Sequence, residues 1–112
     1  MNSTETLIVG FVIIVLLLII LRCRCLRIYR FYRPSCPFCV SSQEEWNKFK
    51  SMCTFKMICT EDINLDEKKY SGMEKIFNVS GVPTVIKCYH FGGFEKYDGE
   101  RTADAYMNWA IK

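Results

Sequence analysis

The sequence predicts an α/β protein in which a single N-terminal transmembrane helix precedes one small domain with a four-stranded mixed sheet and three helices. Two observations indicate this class. Residues 7–21 form an uninterrupted apolar run, and after them segments with strand and helix periodicity alternate in the order β-α-β-α-β-β-α. A chain of 112 residues has room for only one modest core after such a run. We therefore divide it into a membrane anchor with a basic flank, residues 1–26, and a folded domain, residues 27–112.

The apolar run is the predicted membrane anchor. Extended by Thr6 and by the stem of Arg22, it approaches the about 20 residues that a helix needs to cross a bilayer, so residues 6–22 are expected to contact lipid. A secretory signal peptide is the alternative, but it requires a basic start and a small-residue cleavage site. Residues 1–6 contain no Lys or Arg, and Leu21 and Arg22 close the run. These features favour an anchor.

A basic flank follows the run and contains five arginines without an acidic residue: Arg22, Arg24, Arg27, Arg30 and Arg33. Because short Lys- and Arg-rich flanks stay cytosolic, we expect a single-pass protein with its N-terminus outside and its domain on the cytosolic side. Cys23 and Cys25 are candidates for S-palmitoylation, with ordinary membrane-edge cysteines as one alternative and, because they are close to Cys36 in sequence, redox partners of the dithiol as another. From residue 34 onward, the chain contains ten Lys or Arg and eleven Asp or Glu. Its net charge there is almost neutral, which argues against nucleic acid as a partner.

The first half of the domain is predicted to be β-α-β. Residues 28–33 combine two arginines with apolar side chains that are mostly aromatic, a composition typical of a strand that Pro34 ends. A helix over residues 37–53 follows, and its apolar positions at helical spacing would pack on the sheet: Trp46, Phe49 and Cys53. Residues 55–59 are the predicted second strand.

The second half is predicted to be α-β-β-α. A short amphipathic helix is indicated by Tyr70, Met73, Ile76 and Phe77. Strands are expected at residues 84–89 and 94–97, joined by a turn at Gly92 and Gly93. Thr102 is a suitable N-cap for the last helix, whose inner face would be Ala103, Tyr106, Met107 and Ala110.

The sequence Cys36-Pro37-Phe38-Cys39 carries the clearest chemistry, because two thiols at this spacing can pass a disulfide to a partner. At a helix N-terminus, the free backbone N–H groups and the helix dipole stabilise a thiolate, so Cys36 is the expected nucleophile. Arg30 and Arg33 either lower the pKa of Cys36 further or only set the topology.

The cysteines after the dithiol and the single histidine are expected to have structural roles. Cys53, Cys59 and Cys88 are expected to be small buried hydrophobic residues, with second redox centres as the alternative. A closed zinc site would need two more well-placed ligands beside the dithiol, and Cys53 with Cys59 has the wrong spacing, so no metal is expected. His90 is predicted to be a loop residue.

Three segments together resemble the thioredoxin superfamily. Residues 33–39, RPSCPFC, are similar to the active-site segment of dithiol glutaredoxins. Residues 81–85, GVPTV, resemble the cis-proline loop of the superfamily, and residues 97–104, YDGERTAD, are similar to the end of a protein disulfide isomerase catalytic domain. The resemblance covers residues 28–112, the whole predicted domain.

This resemblance implies a minimal thioredoxin-like fold with a redox-active Cys36–Cys39 disulfide, in which Cys36 attacks and Cys39 resolves. It implies that substrate binds along the residues beside the thiols and in the loop, namely Pro37, Phe38, Val82, Pro83 and Thr84. Thioredoxins and disulfide isomerases place a buried acid on the preceding strand, and the family spacing puts Arg30 at that position. No cofactor is implied, and glutathione stays open as a co-substrate.

The sequence thus predicts a membrane-anchored thiol–disulfide oxidoreductase that acts on protein dithiols or disulfides near a membrane. The nine positions from Arg27 to Cys36 reach at most about 30 Å, so the thiols are expected close to the bilayer. The alternative function is a redox-inactive, membrane-tethered binding module with the same fold. Reductase, oxidase and isomerase share such a site and differ in reduction potential, which the Pro-Phe dipeptide does not fix.

Overall fold

A computed structural model describes residues 2–23, 26–89 and 92–112. Its first element is helix α1, Ser3–Cys23, which begins where the Asn2 side chain accepts a hydrogen bond of 2.9 Å from the Glu5 N–H. By length and composition α1 can cross a membrane, and none of its apolar window Ser3–Ile20 is buried against the rest of the protein. The predicted apolar helix is therefore present.

The domain is built on a four-stranded mixed sheet, as predicted. Its strands are β1, Leu26–Tyr32; β2, Ile58–Asn64; β3, Thr84–Cys88; and β4, Phe94–Lys96. They lie in the order β2-β1-β3-β4, with β1 parallel to β2 and antiparallel to β3, and β3 antiparallel to β4.

The predicted first helix is two helices, α2, Pro37–Ser41, and α3, Gln43–Cys53. They meet at Ser42, whose hydroxyl donates a hydrogen bond of 2.7 Å to the Phe38 carbonyl. Such bonding of a serine to the preceding turn bends a helix. In a continuous helix the Cys39 carbonyl would accept the Gln43 N–H, but here it accepts a hydrogen bond from the Arg30 side chain.

The predicted second strand at residues 55–59 was wrong in position, since β2 begins only at Ile58. Residues before it form a turn in which Met57 has a φ of 56°. β2 is a polar edge strand held by seven paired positions along β1, a long-range interaction that its own sequence does not reveal. Cys59 therefore faces solvent, against the prediction, whereas Cys53 is buried and Cys88 is half-buried.

The predicted second amphipathic helix is shorter than expected. It consists of a 3₁₀ turn, Lys68–Tyr70, and a single α-helical turn, α4, Met73–Ile76. Gly72 separates them with a φ of 90°, a conformation that interrupts a right-handed helix, and Ile76 is exposed.

Helix α5, Ala103–Ala110, agrees with the prediction. The Thr102 hydroxyl accepts a hydrogen bond of 3.2 Å from the Ala105 N–H and so caps the helix. The predicted inner face is buried in the main core, which α3 and α5 form with one face of the sheet, among Ile28, Trp46, Phe49 and Val85. A smaller core on the other face holds Phe31, Ile63 and Ile86.

Candidate active site

The two thiols of the dithiol sit at the start of α2, just past the end of β1. Cys36 is the N-cap residue with extended backbone angles, and Pro37 occupies the first turn. A proline is well suited there because its missing N–H would have had no helical partner. One turn later, Cys39 is 2% exposed, whereas Cys36 is partly exposed, and both are free thiols.

The surroundings give the two thiols opposite acidities. The Cys39 backbone N–H lowers the pKa of Cys36 most, aided by the Cys39 thiol, the Phe38 N–H and the positive charge of Arg101, while burial opposes them. The pKa of Cys39 is raised, chiefly by burial and also by its hydrogen bond to Cys36. The more acidic thiol of the pair is thus the accessible one, and the less acidic thiol is buried.

The loop before β3 faces the dithiol. The peptide bond between Val82 and Pro83 is cis, and the Cys36 thiol lies 3.7 Å from the Val82 carbonyl oxygen. The Thr84 hydroxyl donates a hydrogen bond of 2.6 Å to the Gly81 carbonyl, which fixes the shape of the loop. The fold thus brings together the residues that the sequence singled out at 36–39 and at 82–84.

Arg30 lies under the dithiol and is completely buried. Its guanidinium donates hydrogen bonds to the Cys39 carbonyl at 2.9 Å, to the Ser42 hydroxyl at 3.1 Å and to the Gln43 side chain at 2.8 Å. It also lies over the Trp46 ring, 5.8 Å from the centroid. A buried cation therefore occupies the strand position at which the resemblance implied an acid in thioredoxins.

Arg101 lies at the site although the sequence did not predict it there. Its guanidinium lies 5.6 Å from the centroid of the Phe38 ring, which is 63% exposed. Arg33, which the sequence suggested near Cys36, instead forms an ion pair of 2.6 Å with Asp66 on the surface. The positive charge that lowers the pKa of Cys36 thus includes that of Arg101, from a segment far along the chain.

Other residues that the sequence singled out include Cys23, Cys25, Cys53 and His90. Cys23 ends α1, while Cys25 and His90 fall outside the described residues. Burial raises the pKa of Cys53 to about 11, so this thiol is poorly reactive. Within residues 2–23, 26–89 and 92–112, no group of three or more His, Cys, Asp or Glu is arranged to hold a metal ion.

Among curated proteins, the chain is similar to thioredoxin-related transmembrane protein 1 of Bos taurus and of Homo sapiens. The identity is 29% over 79 residues in both cases, which is 70% of this chain and 27% of each relative. The chain thus spans about a quarter of the length of these relatives. No family model matches the chain.

Solved structures show the same fold. The first thioredoxin domain of mouse protein disulfide-isomerase A4 matches with a TM-score of 0.68 and 26% identity, covering 79% of this chain and 62% of that one. The J-Trx1 fragment of ERdj5 matches with a TM-score of 0.69 and 19% identity, covering 77% of this chain and 40% of that one. The predicted thioredoxin-like fold is therefore confirmed, and the apolar helix together with the transmembrane relatives supports a membrane-anchored thioredoxin-like protein.

Proposed function

Because a thioredoxin-like domain follows an apolar helix, we propose that this protein is a membrane-anchored thiol–disulfide oxidoreductase that exchanges disulfides with protein substrates. The observation that carries the proposal is the pairing of an accessible, acidified Cys36 with a buried Cys39 opposite the loop at Pro83. Nucleophilic attack requires the thiolate, and only the accessible thiol of the pair has its pKa lowered.

The exchange proceeds in two steps. The Cys36 thiolate attacks one sulfur of a substrate disulfide, forming a mixed disulfide and releasing the other sulfur as a thiolate. Cys39 then loses its proton to water or to the departing thiolate and attacks the sulfur of Cys36, which releases the second substrate thiolate. The substrate is reduced and the Cys36–Cys39 pair is oxidised; the reverse steps oxidise a substrate dithiol.

Substrate would bind across the loop and the start of α2. Val82 offers backbone groups next to the Cys36 thiol, at which an extended substrate segment can pair as an added strand. Pro37 and Phe38 are exposed beside the thiols and supply apolar contact, while Pro83 and Thr84 are half-buried and shape the loop. Glutathione remains open as a co-substrate.

We further propose that residues 6–22 cross the bilayer, with the N-terminus outside and the domain on the cytosolic side. The basic flank supports this orientation. Cys23 and Cys25 would then lie at the cytosolic membrane edge, where palmitoyl chains could be added. Substrates would be membrane proteins or proteins that assemble at the membrane.

Reduction of insulin disulfides by the full chain in vesicles tests the enzyme proposal. We expect turnover with a dithiol reductant for the wild type and none for Cys36→Ser, with Cys59→Ser as a matched control because Cys59 is an exposed thiol on β2 away from the dithiol. A wild-type protein that is folded but inactive would favour the alternative, a redox-inactive binding module.

A further inference from the structure

The dithiol and the anchor lie at opposite ends of the sheet. Strand β1 begins at Leu26, only three residues after the last residue of α1, Cys23, so these two Cα atoms are at most about 11 Å apart. β1 then runs for seven residues, about 20 Å, before the chain reaches Cys36. With α1 spanning the bilayer as proposed, the end of the sheet at Leu26 lies at the membrane boundary, and the thiols lie about a strand length away from it.

The strand register identifies what else lies at the Leu26 end. Leu26 pairs with Ile58, the first residue of β2. On the other side, Arg27 pairs with Cys88, the last residue of β3, and Cys88 pairs with Phe94, the first residue of β4. The turn before β2 and the end of β3 therefore face the same boundary as the anchor.

Large apolar side chains are exposed at this end of the sheet. Phe55 is 89% exposed and Met57 is 61% exposed, both in the turn before β2, and Tyr89 and Phe94 at the β3–β4 end are also exposed. We call these four residues the anchor-end patch. Lys56 is exposed between Phe55 and Met57, so the turn presents a basic side chain between two apolar ones.

This combination fits the interfacial region of a bilayer. Single exposed apolar residues are common on protein surfaces, but here several share the one end that the chain holds against the anchor. Aromatic residues and Met can enter the boundary between headgroups and acyl chains, while a lysine reaches the headgroups and is attracted by anionic lipids.

We propose that Phe55 and Met57 insert into the interfacial region of the bilayer that α1 spans, with Lys56 on anionic headgroups. The domain thereby docks on the membrane by the anchor-end patch, with the dithiol turned toward the aqueous phase. This inference rests on the membrane anchoring in the proposed function, and it identifies the lipid surface, not a second protein, as the occupant of the patch.

Quenching by brominated lipids tests the docking in the full-length protein. The variant Phe55→Trp is reconstituted in vesicles of phosphatidylcholine and phosphatidylserine, with or without bromine on the acyl chains. The matched control is Phe38→Trp, which places the probe at an exposed position at the dithiol end. The emission of the parent protein, which contains Trp46 and Trp109, is subtracted. Both substituted positions are mostly exposed, so folding should not be disturbed.

We expect the added emission of F55W to be lost in brominated vesicles and that of F38W to be unchanged. Equal emission of F55W in both kinds of vesicle would overturn the docking. Shielding of position 55 from water that occurs only when a second protein is added would overturn it as well. Carbonate extraction separates this failure from failure of the anchor: a chain that stays in the vesicles while F55W is unquenched refutes docking alone, and a chain that is washed out refutes the anchoring itself.

Discussion

The guanidinium of Arg30 donates a hydrogen bond of 2.9 Å to the backbone carbonyl of Cys39. Arg30 thus supports the helix turn that carries the buried thiol, and it does so where α2 gives way to α3. The same side chain binds Ser42 and Gln43, so one buried cation organises the whole junction. Its Nε has no hydrogen-bond partner among the described residues. Because an unpaired buried polar atom costs stability, the three hydrogen bonds that the guanidinium does make are needed to offset the burial of the charge.

Replacing Arg30 by Lys should destabilise the protein by about 1–3 kcal/mol, because a single ammonium nitrogen cannot take the places of the two guanidinium nitrogens that donate these three bonds. Urea unfolding of the full chain in micelles, followed by tryptophan emission, measures this free energy. The matched control Arg33→Lys should cost less, since the ion pair of Arg33 with Asp66 is exposed and screened by solvent. Equal costs for the two variants would contradict the role given to Arg30.

The two thiols should differ in alkylation. Because the pKa of Cys36 is lowered and that of Cys39 is raised, iodoacetamide should modify Cys36 first at neutral pH. The rate at Cys36 should fall as the pH drops through its lowered pKa, since protonation removes the thiolate. Peptide mass spectrometry after brief labelling measures both sites, and faster modification of Cys39 than of Cys36 would refute the assignment.

Arg101 should contribute to the acidity of Cys36. Its positive charge favours the thiolate, so Arg101→Gln should move the alkylation profile of Cys36 to higher pH. Arg33→Gln removes an equal charge that is already paired with Asp66 and should move the profile less. A profile that is unchanged in the Arg101 variant would contradict a contribution of Arg101 to the pKa of Cys36.

Protease treatment of sealed vesicles tests the proposed orientation. If the domain is cytosolic, trypsin added to the cytosolic face should degrade residues 27–112 and leave a fragment containing α1. Addition of detergent supplies the control, because it exposes the domain whichever side it lies on. Protection of the domain until detergent is added would contradict the orientation.

Local signals explain which parts of the fold the sequence could predict. Thr102 and the helix after it were predictable because a cap and an amphipathic period are encoded within a few neighbouring residues. β2 was misplaced because its polar residues become a strand only through pairing with β1. The position of Phe55 in an exposed turn likewise depends on where that pairing begins.

The candidate site likewise has features that the sequence could predict and features that it could not. The spacing of Cys36 and Cys39 and the sequence Val-Pro-Thr were visible in the chain, whereas the contact of Arg101 with Phe38 arises only from the tertiary fold. The burial of Arg30 did leave a signal. In a strand, alternate residues share a face, so Arg30 had to lie on the same face as Ile28, which packs against α3.

The most direct test of the proposed function is the trapping of a mixed disulfide. Full-length Cys39→Ser in vesicles is mixed with a disulfide-containing peptide, and the adducts are identified by mass spectrometry under non-reducing conditions. We predict a stable adduct through Cys36 in this variant, a transient one in the wild type and none in Cys36→Ser. An adduct of equal yield in Cys36→Ser, or no adduct in Cys39→Ser, would contradict the assignment of Cys36 as the nucleophile of a thiol–disulfide oxidoreductase.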